Sequence, residues 1–170
     1  MNDTTDTTDI PAIDPETRVT HDDHEALRLW LRMLTCTMVV ERHVKARLRG
    51  RFGMSLPRFD LMAQLDRAAD GLRMSELSRR LMVSGGNVTS LVDQLVDEGL
   101  VERRDVPGDR RASAVRLTPR GREAFLAMAA EHEGWIVELT DGLPAADRAR
   151  LYQLLGRFKR ALPPIPGDKR

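Results

Sequence analysis

The residues with the clearest chemistry form a polar face on one short segment of the chain. Between residues 84 and 94 several residues are either glycines or carry a small side chain with a hydroxyl or amide group. They are Ser84, Gly85, Gly86, Asn87, Thr89, Ser90 and Gln94. Such groups can hydrogen-bond to base edges in the major groove of duplex DNA. Adjacent glycines at a helix start also let backbone N–H groups approach a phosphate. This segment is therefore a candidate DNA-reading face.

Basic residues precede and follow this face. They lie just upstream of it and around a predicted hairpin tip at residues 106–110. Together with the acid Asp109, the residues predicted to form the DNA site in these segments are Arg79, Arg80, Arg103, Arg104, Arg110 and Arg111. Arginines suit the phosphate backbone, and a hairpin tip suits the narrow minor groove. We expect Asp109 to hold a neighbouring arginine in position. Asp93 is expected to pair with an arginine or to accept from a cytosine amine.

Apolar periodicity predicts the elements that position these groups. Leu77 and Leu81 lie one turn apart and predict a helix, with Ser75 as its N-cap. A second helix is predicted by the spacing of Val88, Leu91, Val92, Leu95 and Val96. Two strands, 101–105 and 111–117, flank the hairpin tip, because its proline cannot join a central ladder. Helix, turn, helix and hairpin together indicate a winged helix-turn-helix, whose second helix enters the major groove.

The flanking segments predict the rest of the architecture. Residues 1–20 are acidic and threonine-rich and are interpreted as a disordered tail. Residues 21–56 hold one long helix that is apolar around most of its girth, so a second subunit is its simplest cover. Residues 121–162 hold two amphipathic helices, residues 57–120 form the DNA-binding lobe, and residues 163–170 are a tail. The expected fold is mainly α with a small β wing.

Local signals mark the boundaries between these elements. Gly53 is predicted to be a left-handed helix cap, and Ser55 the N-cap of the next helix. The core face of that next helix is predicted to hold Phe59, Leu61, Met62 and Leu65. Residues 72–73 are predicted to form a short strand beside the wing. Thr118 is predicted to cap a helix whose first residue is Pro119.

Composition argues against several other classes of protein. The net charge is +1, but the first 26 residues hold eight acids against one arginine, so the rest is strongly basic. A single cysteine allows neither an internal disulfide nor a cysteine-based zinc site. No secretory signal and no membrane-length apolar run is present, so a cytoplasmic location is expected. We find no phosphate loop, metal-ligand spacing or nucleophile–base pair, and predict no enzyme, no metal and no cofactor.

Several segments resemble the MarR family of transcriptional regulators. They are Glu76–Leu81, Asn87–Leu95, Gly99–Arg103, Gly108–Ala112 and Val115–Thr118, and the Asp-x-Arg at residues 109–111 is the most specific. The resemblance covers roughly Asp22 to Leu162. It implies a winged helix-turn-helix with N- and C-terminal dimerisation helices. It also implies a homodimer that binds double-stranded DNA at a palindromic operator, as a repressor released by a small-molecule effector. The resemblance also implies that Arg111 or Arg110 contacts the minor groove.

The resemblance implies an effector site between the first, second and fifth helices and the DNA lobe. Its expected apolar lining is Trp30, Met33, Leu34, Thr37, Phe59 and Met62, although each of these could simply be core. A closer similarity, over residues 55–61 and 84–89, is to the branch that responds to hydroxycinnamoyl-CoA thioesters. It implies control of aromatic catabolism by an aromatic acid or its CoA thioester. The CoA phosphates would then meet Arg42, Lys45, Arg47, Arg49 and Arg51, which could instead serve only the helix dipole.

Two alternative functions stay open at this point. Cys36 could make the chain a thiol-based redox-sensing regulator, although a small buried hydrophobe is the simpler interpretation of a mid-helix cysteine. A winged helix can also serve only as a protein-docking module.

Overall fold

The computed structural model of the chain describes residues 24–81, 85–106 and 109–164, and describes only the backbone of residues 105, 106 and 109–112. The predicted tail at residues 1–20 lies outside these residues, as does Ser84. The described elements, in chain order, are α1 (Glu25–Phe52), α2 (Leu56–Asp66), β1 (Leu72–Arg73), α3 (Met74–Leu81), α4 (Gly85–Asp97), β2 (Val101–Val106), β3 (Asp109–Leu117), α5 (Pro119–Thr140) and α6 (Ala145–Ala161). The predicted class, mainly α with a small β wing, is confirmed.

The chain divides into two compact units, residues 1–46 and 47–170. In the first unit, the described part of α1 exposes most of its large apolar side chains, and Trp30 is 53% exposed. Cys36 is exposed as well, so the expectation that it is a buried hydrophobe is wrong. The reason is that its apolar neighbours along the helix, such as Met38 and Val39, are themselves exposed in the single chain.

In the second unit, the end of α1, the helices α2 to α5 and a small sheet share one core. The sheet is antiparallel in the order β1-β3-β2, and Leu72 pairs with Val115, which confirms the predicted short strand beside the wing. The largest fully buried side chains come from α1, α2, α3, α4, β2 and β3: Leu48, Leu61, Met62, Leu65, Leu77, Val88, Val92, Leu95, Val101 and Val115. The predicted apolar faces of α2 and α4 are therefore the faces that are buried.

Helix boundaries follow the predicted caps, with one correction. Gly53 has φ +62°, the left-handed conformation that glycine adopts at low cost. Thr118 Oγ1 accepts from the backbone N–H of Gly121 at 2.9 Å, and Pro119 begins α5. The Ser75 cap is wrong, because β1 ends at Arg73 and α3 begins at once at Met74, which places Ser75 inside the helix.

Four residues, Gly99, Leu100, Thr118 and Gly121, join the end of α4, the base of the wing and the start of α5. We call them the wing joint. Thr118 donates its backbone N–H to the Leu100 carbonyl at 3.1 Å and its hydroxyl to the Gly99 carbonyl at 2.8 Å. Gly121 packs so closely on the Leu100 backbone that a Cβ would overlap that carbonyl oxygen. The joint therefore requires glycine at position 121.

The last helix, α6, carries an apolar stripe that nothing covers in the single chain. No residue of α6 is buried, and the exposed members of the stripe are Leu151, Leu154, Leu155, Phe158 and, just beyond the helix end, Leu162. Across residues 24–81, 85–106 and 109–164, no helix has the length and hydropathy that crossing a membrane requires.

The wing joint gives the first prediction. Gly121→Ala should lower the free energy of unfolding by about 3 kcal/mol, because the added methyl group must displace backbone. The matched control is Gly134→Ala in the same helix, where a Cβ meets nothing within 4 Å and better helix propensity should raise stability by about 0.5–1 kcal/mol. Urea unfolding at one fixed protomer concentration measures both changes. Equal effects of the two substitutions would contradict the packing argument.

Candidate nucleic-acid interface

The polar face predicted on the second helix of the motif points outward on α4. Val88, Val92 and Leu95 are 0% exposed and fix the opposite face of the helix against the core. The predicted contact residues on this helix are all exposed: Gly85, Gly86, Asn87, Thr89, Ser90 and Gln94. The helix therefore presents small donors and acceptors to solvent along one side, as base readout requires.

An ion pair connects this helix to the wing. Arg103 on β2 donates to the Asp93 carboxylate on α4, with Nη2 and Oδ1 2.6 Å apart. The expectation that Asp93 pairs with an arginine is confirmed. The pair neutralises an acid that would otherwise face a polyanion.

A second acid organises the wing surface. Glu102 accepts from the guanidinium of Arg116 on the adjacent strand and from Arg104 Nε at 3.1 Å. These hydrogen bonds lower the pKa of Glu102, Arg116 contributing most, and outweigh the opposing effect of desolvation. Both wing arginines with described side chains that were predicted to bind DNA, Arg103 and Arg104, thus have a carboxylate partner.

The second strand of the wing begins earlier in the sequence than predicted. Asp109 pairs with Val106 across the hairpin, so β3 starts at residue 109 rather than 111. The side chains of Asp109, Arg110 and Arg111 lie outside the described residues. Their predicted roles at the minor groove stay predictions.

The two arginines of α3 differ in their surroundings. Arg79 is exposed and has no carboxylate partner among the described residues, which suits a phosphate contact. Arg80 Nη2 lies 2.5 Å from Glu76 Oε1, and Arg80 also lines a cavity between α2, α3 and α5.

That cavity has a volume of about 470 Å³ and combines aromatic walls with basic groups. Phe59 packs on Phe125 with ring centroids 5.5 Å apart and on His132 at 5.2 Å. Its polar lining includes Arg67, Arg80 and His132, none of which was predicted to contact an effector. The sequence holds one signal of this cavity wall. Asp60, Ala63, Gln64 and Arg67 are spaced at i, i+3, i+4 and i+7, so they share one face of a helix.

The other predicted effector residues lie in different surroundings. Met62 is fully buried in the core, whereas Phe59 does line the cavity. On the first unit, Trp30, Leu34 and Thr37 are exposed, Met33 is partly exposed, and the Thr37 hydroxyl donates to the Met33 carbonyl at 2.8 Å.

The basic end of α1 is largely paired with acids. Arg47 makes two hydrogen bonds to Glu138, at 2.7 and 2.9 Å, which raise the pKa of this arginine further. Arg51 pairs with Glu131 at 2.6 Å, and Lys45 pairs with Glu41 at 2.6 Å. Arg42 and Arg49 are exposed. Three of the five cations thus already have carboxylate partners.

Comparison with known proteins relates this arrangement to one family. A sequence model of the MarR family matches residues 52–112, from the end of α1 into β3. Over these residues the chain is similar to the MarR family. The HTH-type transcriptional regulator YdgJ of Bacillus subtilis is 33% identical over 107 residues, which cover 63% of this chain and 65% of that protein. The matched region thus spans less than two thirds of that relative.

Solved structures share the fold over most of the chain. A MarR-family regulator from Silicibacter pomeroyi matches with a TM-score of 0.70 and 29% identity, and the alignment covers 85% of this chain and 100% of that chain. Sco3205 of Streptomyces coelicolor, crystallised in complex with DNA, matches with a TM-score of 0.73 and 24% identity over 88% of this chain and 94% of its own. Within the described part of the chain, no three His, Cys, Asp or Glu side chains cluster as metal ligands would.

The ion pairs of the wing give the second prediction. Because the pKa of Glu102 is lowered, its ion pairs stabilise the fold above the ordinary glutamate value of 4.5, and this contribution is lost as the pH falls through the lowered pKa. In an NMR titration of the side-chain carboxyl carbon, Arg116→Met should raise this pKa more than the control Arg104→Met does. A larger rise for Arg104→Met would contradict the assigned order of the two causes.

Proposed function

We propose that this MarR-family chain is a DNA-binding transcription regulator that works as a homodimer and releases its operator when a small anionic aromatic effector binds. The observation that carries the proposal is the orientation of α4. Its apolar side is fixed by fully buried valines and a leucine, and its polar side, including Asn87 and Gln94, faces solvent. In this proposal residues 57–120 read DNA, whereas residues 21–56 and 121–162 dimerise.

DNA binding draws on two kinds of contact. The exposed hydroxyl and amide groups of α4 would read base edges in the major groove, and Arg79 together with the wing arginines would contact phosphates. The Asp93–Arg103 pair holds α4 and β2 together, so helix and wing would dock on the duplex as one body. The solved relative Sco3205, crystallised with DNA, supports this proposal by its fold.

Dimerisation would cover the apolar surface that the single chain exposes. The stripe on α6 includes Leu151, Leu155 and Phe158, each more than 40% exposed. Burying such a stripe against a second copy removes apolar area from water. A two-fold dimer places two recognition helices about one duplex turn apart, which matches a palindromic operator. Occlusion of a promoter by such a dimer would make the protein a repressor.

Two substitutions separate the two kinds of DNA contact. Arg79→Ala should weaken binding to all duplexes alike and reduce the slope of log affinity against log salt by about one unit, because one phosphate contact is lost. Asn87→Ala should reduce the preference for operator over unrelated DNA by about tenfold and leave the slope unchanged. Fluorescence anisotropy over a salt series measures both effects. Arg150→Ala, an exposed charge on α6, is the control; a loss of slope with that variant, or none with Arg79→Ala, would count against the assignment.

The effector class follows from the cavity between α2, α3 and α5. Rings from Phe59, Phe125 and His132 provide a stacking surface, and Arg67 and Arg80 provide cations. An aromatic acid fits this combination, because its ring is buried and its carboxylate meets a guanidinium. Since Arg80 belongs to α3, an occupied cavity acts on the helix that supports α4. Different affinities of the effector for two dimer arrangements would release the operator.

A CoA thioester of such an acid is the finer form of the proposal, with a role in aromatic or hydroxycinnamate catabolism. Arg42 and Arg49 are exposed at the basic end of α1 and suit CoA phosphates. Arg47 and Arg51 would have to exchange Glu138 and Glu131 for those phosphates. Such exposed pairs are weak, so the exchange is feasible.

The effector proposal is tested with the cavity arginine that is remote from α3. Arg67→Gln should weaken binding of p-coumarate about tenfold, because it removes a charged donor to the carboxylate, and should weaken binding of p-coumaroyl-CoA less, because its carboxyl group is a neutral thioester. Operator affinity without effector should stay unchanged. Calorimetry gives the effector affinity and anisotropy gives operator release. Arg157→Gln, an exposed arginine on α6, is the control. If the free acid binds and the thioester does not, the CoA form of the proposal is wrong, while the aromatic-acid form stands.

A further inference from the structure

Three exposed polar residues form a ridge along α4. Asn87, Ser90 and Gln94 follow one another at i, i+3 and i+7, so they are neighbours on one side of the helix. The fully buried Val88 and Val92 fix the other side against the core. The ridge carries both amide side chains of α4, and we call it the amide ridge.

The amide of Gln94 is held by the residue one turn earlier on this ridge. Gln94 Nε2 donates to Ser90 Oγ, and the two atoms lie 3.4 Å apart. A primary amide has two N–H donors and one carbonyl acceptor. Because Ser90 takes one donor, Gln94 keeps one donor and one acceptor for a partner outside the chain.

The major-groove edges of the four bases differ in how they match such a pair of groups. Adenine presents an acceptor, N7, next to a donor, the N6 amino group, and so complements one donor beside one acceptor. Guanine presents two acceptors, N7 and O6, one of which would face the Gln94 carbonyl oxygen. Cytosine and thymine each offer a single hydrogen-bonding group. The free groups of Gln94 therefore select adenine.

The neighbouring polar residues of α4 do not offer this pattern. Thr89 donates its hydroxyl to the Gly85 carbonyl at 3.0 Å, so its donor is used within the helix. Asp93 accepts from Arg103 and has no donor of its own. Within residues 91–97, all of which are described, only Gln94 has a side chain that both donates and accepts.

We propose that Gln94 reads an adenine in the major groove of each operator half-site, and that Ser90 is a positioning residue that sets the Gln94 amide for adenine rather than guanine. Gln94 Oε1 accepts from adenine N6, one Nε2 hydrogen goes to adenine N7, and the other stays on Ser90 Oγ. Every group of the amide then has a partner. This inference rests on the proposed DNA-binding function and adds the base that is selected.

A base analogue locates the adenine. The full-length protein first selects its preferred sequence from a pool of random duplexes. Adenines of the selected half-site are then replaced one at a time by 7-deazaadenine, which still pairs with thymine but lacks the N7 acceptor. At one position the replacement should weaken binding of the wild-type protein about fivefold, as expected for the loss of one hydrogen bond. Fluorescence anisotropy measures the affinities.

Two substitutions on the amide ridge assign this penalty. In Gln94→Ala the same replacement should have no effect, because the contact with N7 is already gone. Asn87→Ala is the matched control, since it removes the other amide of the ridge and leaves Gln94 in place, and the penalty should persist there. All three ridge residues are exposed and alanine is the best helix former, so α4 should be retained in these variants.

The role of Ser90 is tested by exchanging that adenine–thymine pair for guanine–cytosine. The exchange should weaken binding of the wild-type protein about tenfold. In Ser90→Ala the loss should be only about threefold, because the amide can then turn both N–H groups towards the two acceptors of guanine. Both proteins meet the same two duplexes, so differences in DNA shape cancel in the comparison. An equal loss in both proteins would overturn the positioning role of Ser90.

The outcomes separate this inference from the function on which it rests. Equal 7-deazaadenine penalties in the wild-type protein and Gln94→Ala at every adenine would overturn the adenine contact, whereas tight binding of the selected duplex would still support DNA binding. If no duplex is enriched from the pool, the DNA-binding function itself is wrong and the inference falls with it.

Discussion

The contact between Gly121 and the Leu100 backbone is the constraint on which the winged lobe depends. There the start of α5 lies directly on the chain between α4 and β2, and Thr118 secures the contact through both its backbone N–H and its hydroxyl. The left-handed Gly99 (φ +69°) turns the chain sharply into the wing at the same place. The end of α4, the base of the wing and the start of α5 thus meet within a few residues, without an intervening loop.

Paired charges set the positions of the arginines on this lobe. Arg80, Arg103, Arg104 and Arg116 each contact a carboxylate, and the pairs lie largely in solvent. Exposed pairs of this kind contribute little to stability, so an incoming phosphate can displace the acid at small cost. If the lobe binds DNA as proposed, the acids would hold the arginines near their places before the duplex arrives. Arg58 is different, because it is mostly buried and its pair with Glu98 joins α2 to the end of α4.

Local sequence signals predicted the elements but not the contacts between them. The periodic apolar residues of α2 and α4, the Gly53 cap and the Thr118–Pro119 helix start depend on neighbours in the chain, and the structure confirms them. The Ser75 cap is wrong because a strand residue in contact with β3 decides where α3 begins. Arg67 and His132 lie far apart in sequence, and only the packing of α2 on α5 brings them to one cavity. The need for glycine at position 121 could not be predicted from the sequence either, since Leu100, which it contacts, lies in a different part of the chain.

The exposed apolar stripe on α6 has a consequence for the turnover of the protein in a cell. A 17-residue helix with no buried side chain is only marginally stable in water without a partner. Freshly made protomers would hold this segment as a fraying end until they meet another copy, and frayed ends are where proteases cut. Turnover would then fall as copy number rises, because paired chains are protected.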